Sequence, residues 1–224
     1  MKTIGILVAM PKELTPFIEK TGEYSTAHEA KYDFITAYYG NYKLVMVACG
    51  VGKANSAIAA QLLISEFGAE AVINSGVAGG VGKDINILDV IIADKCVNHD
   101  IADFLMEKYT PNRVYFETDA ELRKAAASAC KRLGISAYTG LIASGDIYVT
   151  DTAMKNKIIS DYSPLAVDME TVSVAMCCYR NDIPFLSIRS ISDNADEEST
   201  LDPDELENKA AVRASEIVLE MLKN

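Results

Sequence analysis

Apolar runs alternate with helix-like segments along nearly the whole chain. Residues 3–9 form a continuous apolar run, which is typical of a strand buried on both faces, and a second such strand is predicted from residue 71. A helix is predicted after each strand, the first of them opening at Pro11. The alternation predicts the α/β fold class, as a three-layer α/β/α sandwich with a central mixed β-sheet.

One hairpin accounts for the mixed character of the sheet. Residues 32–39 and 43–49 are β-prone and flank Gly40-Asn41, a dipeptide typical of tight turns. His28 lies just before this pair without a partner motif, and we expect it at the surface.

Helix boundaries are marked in the second half of the chain. Asp119 is placed to cap a helix that Gly134 ends, and residues 151–162 predict another helix. The last helix, at about 203–223, repeats apolar residues at helical spacing and therefore has a packing face. Residues 101–118 carry no pattern that predicts an element.

The segment 160–196 places acidic residues at two element ends. Residues 171–179 are apolar and predict a buried helix, with Asp168 and Glu170 at its N-terminal edge. The β-prone run 185–192 follows and leads directly into Asp193. Because ligands of open α/β sheets bind beyond the carboxyl ends of strands, we expect Glu170 and Asp193 to share one cleft.

Length and hydropathy limit the class of protein. A chain of 224 residues that is 50% hydrophobic can bury one large core, and we expect a single domain over 1–224. No apolar run approaches the roughly 20 residues of a membrane span, and the N-terminal run is too short for a signal peptide. A soluble, cytoplasmic protein is therefore expected, with no membrane partner.

Cysteine spacing and charge exclude further classes of partner. The five cysteines form no C-x-x-C pair and are interpreted as small buried hydrophobes, so neither a disulfide nor a structural metal is expected. A net charge of −11 argues against nucleic acid, whose binding requires neutralised phosphates. A small neutral or cationic molecule is the expected partner.

Two glycine-rich motifs and one acidic residue stay open when each is taken alone. Residues 49–53 read C-G-V-G-K, which lacks the spacing of a phosphate-binding loop and favours a tight turn. The cluster 76–80 lets the backbone approach either a flat ligand or another strand. Glu13, in the first turn of a helix, would by itself be interpreted as an acid that compensates the helix dipole.

Five motifs in order give the chain a specific resemblance. They are A-M-P-K-E at 9–13, I-N-S-G-V-A-G-G at 73–80, S-G-D-I-Y-V at 144–149, V-D-M-E at 167–170 and R-S-I-S-D at 189–193. Together they resemble the 5'-methylthioadenosine/S-adenosylhomocysteine nucleosidase family of the purine nucleoside phosphorylase superfamily. The resemblance implies hydrolysis of the N-glycosidic bond of adenine thionucleosides, no metal or organic cofactor, and a homodimer.

The resemblance also implies roles for individual residues. Asp193 would be the general acid to adenine N7, with Ser192 holding its carboxylate. Glu13 would position and deprotonate the attacking water, and Glu170 would bind the ribose hydroxyls. The substrate-binding set would be completed by Met169 against the sugar, Arg189 nearby, Tyr148 stacked on the base, Val149 at the adenine edge, Ala78 and Gly79 in the same pocket, and Val51 toward the 5' substituent.

The chemistry of the reaction asks for such a set. Adenine leaves poorly until N7 is protonated, and the sugar becomes cationic in the transition state. Asp193 must therefore carry a proton near neutrality while Glu13 stays ionised, which requires different environments for the two carboxyl groups.

Two departures from the family pattern concern the 5' end of the substrate. After His99-Asp100 the family commonly has D-V-T-x-F-G-Y-x-x-G-Q, whereas this chain has a shorter segment without that Gly-Gln pair. Pro203 stands where relatives often place an aromatic residue. The sequence thus predicts the reaction more firmly than the 5' group.

Three alternatives remain beside this reading. A nucleoside phosphorylase would use a basic, Gly-rich loop where this chain has Glu13. A related hydrolase could act on futalosine or 5'-deoxyadenosine. A catalytically silent nucleoside-binding or sensor protein is disfavoured, because all three carboxylates are present.

Overall fold

The computed structural model describes residues 1–195 and 203–223, which form one mixed β-sheet flanked by helices. The strands are β1 (Lys2–Val8), β2 (Tyr24–Glu29), β3 (Tyr32–Tyr39), β4 (Tyr42–Ala48), β5 (Ala71–Gly80), β6 (Val90–Asn98), β7 (Tyr115–Glu117), β8 (Ala137–Ser144), β9 (Ala166–Asp168) and β10 (Phe185–Asp193). The helices are α1 (Pro11–Thr21), α2 (Lys53–Ser65), α3 (Asp103–Lys108), α4 (Ala120–Leu133), α5 (Thr152–Tyr162), α6 (Thr171–Arg180) and α7 (Pro203–Met221).

The sheet closes on itself over part of its width. β10 pairs antiparallel with β6 and parallel with β5, so that the strands run around a ring in the order β5, β9, β8, β6, β10. From β5 the sheet extends through β1 and β4 to the antiparallel strands β3 and β2. The predicted central mixed sheet is confirmed, with the closed ring as an addition that the sequence did not predict.

Alternating side chains of the strands supply hydrophobic cores on both faces of the sheet. Ile4 and Ile6 of β1 pack into the cluster that contains residues of α1, α4 and α7, such as Phe17. Leu7 of the same strand packs on the opposite face, in the cluster that contains Leu63 of α2 and residues of α6. Since successive side chains of a strand point to opposite faces, the uninterrupted apolar run of β1 serves both layers. The predicted α/β/α layering is confirmed.

Most predicted elements have the expected kind and position, and the differences fall in short or exposed segments. Gly40 and Asn41 connect β3 and β4, and Asp119 caps α4 by accepting a hydrogen bond from the N–H of Leu122 at 2.9 Å. His28 is exposed, as predicted, and its Nδ1 lies 2.6 Å from Oδ1 of Asp33.

Two short strands and the segment 101–118 were not predicted as elements. β2 is exposed along its whole length, β9 has three residues, and 101–118 contains α3 and β7.

In the ranges that the structure describes, no helix has the length and the apolar character of a membrane span. All five cysteines are free, and four of them are buried.

Candidate active site

A cavity of about 360 Å³ opens at the carboxyl ends of β1, β5, β9 and β10. It is lined by all eleven residues that the sequence analysis singled out: Glu13, Val51, Ala78, Gly79, Tyr148, Val149, Met169, Glu170, Arg189, Ser192 and Asp193. The position follows the rule that ligands bind beyond the carboxyl ends of parallel strands. The expectation that Glu170 and Asp193 share one cleft is confirmed.

Glu13 is buried at the start of α1, with 1% of its surface exposed. Its Oε2 accepts hydrogen bonds from the N–H groups of Ala9 at 2.9 Å and Met10 at 2.8 Å, and its Oε1 accepts one from Val77 at 2.9 Å. Burial raises the pKa of Glu13 from its ordinary value, although Arg189 and the three backbone N–H groups lower it. The side chain thus does more than compensate a helix dipole.

Arg189 lies at the centre of a buried network of charges. Its guanidinium is 2.6 Å from Oδ2 of Asp168, 2.6 Å from Oδ1 of Asn74 and 3.4 Å from Oε2 of Glu170. The residue has no exposed surface, so these acceptors replace the water that an arginine would otherwise bind. Asp168 is thereby a partner of Arg189, and the sequence analysis had placed it only at the edge of α6.

Glu170 is held between this network and the turn that precedes α2. Its Oε1 accepts a hydrogen bond from the N–H of Gly52 at 2.9 Å. Burial raises the pKa of Glu170 to about 7; Arg189 and the Gly52 N–H lower it, and Asp168 raises it. Gly52 has a φ of 99° and Gly50 a φ of 85°, which fits the tight turn predicted for residues 49–53.

Asp193 is the last residue of β10 and lines the cavity. Its Oδ2 accepts from Oγ of Ser192 at 2.8 Å, and its Oδ1 accepts from the N–H of Ala195 at 2.8 Å. A β-carbon at Gly79, in the adjacent strand, would lie 3.1 Å from Oδ1 of Asp193. The glycine therefore lets the carboxylate lie close to the backbone of β5.

The remaining predicted residues divide between the floor and the mouth of the cavity. Ala78 and Val149 are buried, whereas Val51 and Tyr148 are 48% and 67% exposed. The sequence analysis missed nine lining residues. Four of them adjoin a predicted residue in the chain, namely Val77, Ile147, Thr150 and Asp168; the other five are Ala9, Met10, Val167, Ala195 and Glu207. Glu207 lies far from every motif, and α7 brings it to the cavity, where Lys12 of α1 contacts its carboxylate.

The profile of the phosphorylase superfamily matches residues 3–223. The chain belongs to this superfamily. Its relatives include the aminodeoxyfutalosine nucleosidase of Campylobacter jejuni, 33% identical over 99% of this chain and 98% of the relative. The 5'-methylthioadenosine/S-adenosylhomocysteine nucleosidase of Staphylococcus carnosus is 34% identical over 99% of both chains.

Solved structures of superfamily members agree with the fold. The 5'-methylthioadenosine/S-adenosylhomocysteine nucleosidase of Helicobacter pylori with butyl-thio-DADMe-Immucillin-A superposes with a TM-score of 0.93, at 32% identity over 99% of this chain and 98% of that one. The Neisseria meningitidis enzyme with methylthio-immucillin-A superposes with the same TM-score of 0.93, at 31% identity over 100% and 99% of the two chains.

The charged side chains that line the cavity of this superfamily member are mostly acidic. Five acidic residues line one cavity, namely Glu13, Asp168, Glu170, Asp193 and Glu207, and within residues 1–195 and 203–223 Arg189 is the only basic residue in its lining. Because Arg189 is already paired with Asp168, the cavity presents excess negative charge. Such a site can stabilise developing positive charge on a bound molecule.

Proposed function

We propose that the protein hydrolyses the N-glycosidic bond of 5'-methylthioadenosine and S-adenosylhomocysteine, releasing adenine and the 5'-thioribose. The observation that carries the proposal is the convergence of Glu13, Glu170 and Asp193 on one cavity of about 360 Å³. Relatives named for this activity, such as the Staphylococcus carnosus enzyme at 34% identity, support it.

Asp193 is the proposed general acid. Protonation of adenine N7 makes the base a better leaving group, and Asp193 lines the same cavity as the buried carboxyl groups of Glu13 and Glu170. The hydrogen bonds from Ser192 and Ala195 fix the plane of its carboxyl group, so that it can face a purine edge. Val149 and Gly79 complete the proposed base pocket, with Tyr148 stacked on the ring.

Glu13 is the proposed base for water. A carboxylate that accepts three backbone hydrogen bonds has a fixed orientation, and its raised pKa makes it a stronger proton acceptor than an exposed glutamate. Water that Glu13 orients would attack the anomeric carbon as the bond to adenine breaks. The proton from that water would pass to Glu13.

Glu170 and Met169 are the proposed contacts to the ribose. Both line the cavity, and Glu170 accepts a hydrogen bond from Gly52, next to Val51. A carboxylate beside the ribose hydroxyls stabilises the sugar more strongly as it becomes cationic, and Arg189 keeps Glu170 in place at 3.4 Å. Ala78 adds to the pocket floor, and Val51 would approach the 5' substituent.

Hydrolysis is favoured over phosphorolysis by the charge of the cavity. Inorganic phosphate is commonly bound by basic groups, and among the described lining residues only Arg189 is basic; its guanidinium is occupied by carboxylates. The ionised carboxylates of the cavity would repel the anion. Water therefore fits as the nucleophile.

A second candidate is a related hydrolase with a different 5' group. Relatives from Campylobacter jejuni and Helicobacter pylori, at 33% and 32% identity, are named aminodeoxyfutalosine nucleosidases. That reaction would use the same three carboxylates, and 5'-deoxyadenosine would fit the same scheme. The exposed Val51 and Tyr148 at the cavity mouth leave the 5' preference to be measured.

The deciding experiment is an adenine-release assay over a panel of substrates. The panel comprises methylthioadenosine, S-adenosylhomocysteine, aminodeoxyfutalosine and 5'-deoxyadenosine, with methylthioinosine as the control for the base. We expect release of adenine without added phosphate and poor cleavage of the 6-oxo analogue, whose mismatch leaves buried polar groups unpaired. Ribose 1-phosphate formed only when phosphate is present would overturn the hydrolase assignment, and binding without any release would indicate a silent binding protein.

Three further properties belong to this proposal. Exposed apolar residues lie at the cavity mouth, namely Val51, Ile147 and Tyr148, and they are suited to burial against a second copy of the chain. We therefore propose a homodimer, for which light scattering should give twice the mass of one chain.

We propose that 1–224 is one nucleoside phosphorylase-like domain, for which a single unfolding transition is expected. Five free cysteines fit the proposed cytoplasmic location, which cell fractionation tests.

A further inference from the structure

Three segments that are distant in sequence meet at Lys53. Its Nζ lies 3.1 Å from Oδ1 of Asn98 and 3.8 Å from Oδ2 of Asp146, and it also contacts Oδ1 of Asp100. The segments are the first turn of α2, the end of β6 and the loop after β8. We call Lys53, Asn98, Asp100 and Asp146 the Lys53 cluster.

Backbone hydrogen bonds complete the Lys53 cluster. The N–H of Lys53 donates to Oδ1 of Asp146 at 2.7 Å, and the N–H of Asp146 donates to Oδ2 of Asp100 at 2.8 Å. The side chains of Lys53 and Asp100 are only 16% and 17% exposed, so this ion pair is more sheltered than an ordinary surface pair. Although burial opposes the charge, the hydrogen bonds from Lys53 and Asp146 lower the pKa of Asp100.

The Lys53 cluster adjoins two walls of the cavity. Gly52, next to Lys53, donates its N–H to Glu170 at 2.9 Å, and Asp146 is followed by the lining residues Ile147 and Tyr148. The loop is also packed tightly from behind, because a β-carbon at Gly145 would lie 2.4 Å from the ring of His99. The cluster therefore fixes the loop and the turn relative to each other.

We propose that Lys53 is a positioning residue, which holds the Gly52 N–H on Glu170 and the Tyr148 loop against the substrate pocket. For its catalytic consequence this inference rests on the proposed function. It assigns a role to the motifs G-V-G-K, His99-Asp100 and S-G-D, which the proposed reaction does not use directly.

The effect on Glu170 has a definite sign. The charged and polar groups that face Glu170 are Arg189 of β10, Asp168 of β9, Glu13 of α1 and the Gly52 N–H at the start of α2. Of these, Arg189 and Gly52 favour the ionised carboxylate. If the turn relaxes and the Gly52 hydrogen bond is lost, the pKa of Glu170 rises further while Arg189 still holds the side chain.

The test is the titration of Glu170 in the full-length protein, followed by ¹³C NMR of labelled glutamate carboxyl groups. The Glu170→Gln variant identifies the signal. We expect Lys53→Met to move the Glu170 titration upward by about 1 pH unit, the size expected for losing a hydrogen bond to a charged group. Asp146→Asn keeps Lys53 but weakens the hydrogen bond from the Lys53 N–H to residue 146, so it should move the Glu170 titration in the same direction. This variant replaces Lys53→Met in the test if Lys53→Met does not fold.

Kinetics provide an independent readout. In Lys53→Met the acidic limb of the pH profile of adenine release should move to higher pH by the same amount. In a Glu170→Gln background Lys53→Met should lower the rate of adenine release much less than in the wild-type protein. Lys124→Met, which removes an exposed pair with Glu121 of α4, is the control and should change neither readout.

The outcomes separate the inference from the proposed function. A lower melting temperature with an unchanged Glu170 titration in both variants would mean that the Lys53 cluster only stabilises the fold, which overturns the inference. Absence of adenine release by the wild-type protein would overturn the proposed function, whereas the NMR titration would still decide whether Lys53 positions Gly52.

Discussion

Gly76 faces the carboxylate of Glu13 so closely that a β-carbon at residue 76 would lie 2.3 Å from Oε1 of Glu13. The same β-carbon would lie 2.7 Å from Nη1 of Arg189. Both side chains are almost completely buried and have no space to retreat. The absence of a side chain at Gly76 is therefore what lets Glu13 and Arg189 lie side by side in the cavity.

Replacing this glycine should damage the site directly. We expect Gly76→Ala to displace Glu13 or Arg189, lowering turnover by at least about 10²-fold and the free energy of unfolding by about 1–3 kcal/mol, as overpacking does. Adenine-release kinetics and chemical denaturation measure the two effects. Gly68→Ala is the control, because Gly68 has a φ of 68° but nothing within 4 Å of its β-carbon position. It should lower stability and leave turnover unchanged; equal turnover losses in both variants would contradict the close-approach argument.

The proposed general acid gives a second prediction. Asp193→Asn keeps the shape of the side chain but cannot donate a carboxylic proton, so turnover should fall by roughly 10²–10⁴-fold, about 3–5 kcal/mol. Substrate affinity should change much less, as isothermal titration with a non-cleavable analogue would show. Asp119→Asn, at the cap of α4, should leave turnover unchanged. Near-normal turnover of Asp193→Asn on methylthioadenosine would show that another group protonates N7.

The pH dependence follows from the burial of Glu170. Its pKa is raised to about 7, and the ionised form is the one proposed to stabilise the sugar cation. Activity is thus present above this pKa, and we expect kcat/KM to fall up to tenfold per pH unit as the pH drops below about 7. Glu170→Gln should remove this limb and leave only the contribution of Glu13, whose pKa burial also raises. An identical acidic limb in Glu170→Gln would assign the limb to another group.

The eleven lining residues could be predicted from the sequence because the carboxylates lie at or near the ends of helices and strands. Glu13 lies in the first turn of α1, the helix that follows β1, and Asp193 is the last residue of β10, so a correct assignment of these elements was enough to place both at one edge of the sheet. The family resemblance supplied the remaining residues and their proposed roles; all of them except Val51 lie in the five motifs.

Other features left no trace that a single sequence can reveal. β2 is exposed along its whole length, so it has no alternating apolar pattern, and β9 is too short for one. Asp168 becomes the partner of Arg189 only when β9 and β10 lie close together in the folded chain. The contacts of Lys53 join residues 45–93 positions apart, and such pairings are tertiary facts that no local pattern encodes.

The last prediction concerns Glu170 and the ribose. If Glu170 binds the ribose hydroxyls, its interaction strengthens as the ring becomes cationic, so Glu170→Gln should depress turnover more than it weakens binding in the ground state. A substrate without the 2'-hydroxyl should then be poor for the native protein and hardly worse for the variant, because the two changes delete one shared interaction.

Varying the 5' group of the substrate provides the control for the combined test of Glu170→Gln and the missing 2'-hydroxyl. The segment 101–118, which contains α3 and β7, contributes no residue to the cavity lining described here, so it should affect only the ranking of methylthio, homocysteinyl and unsubstituted 5' groups. The cost of Glu170→Gln should be similar for each of them when kcat/KM is measured across the panel. The assignment of Glu170 to the ribose would be wrong if the loss in kcat/KM caused by Glu170→Gln varied by orders of magnitude with the 5' group. It would also be wrong if the effects of Glu170→Gln and of removing the 2'-hydroxyl simply added. Glu170 would then be only a partner of Arg189.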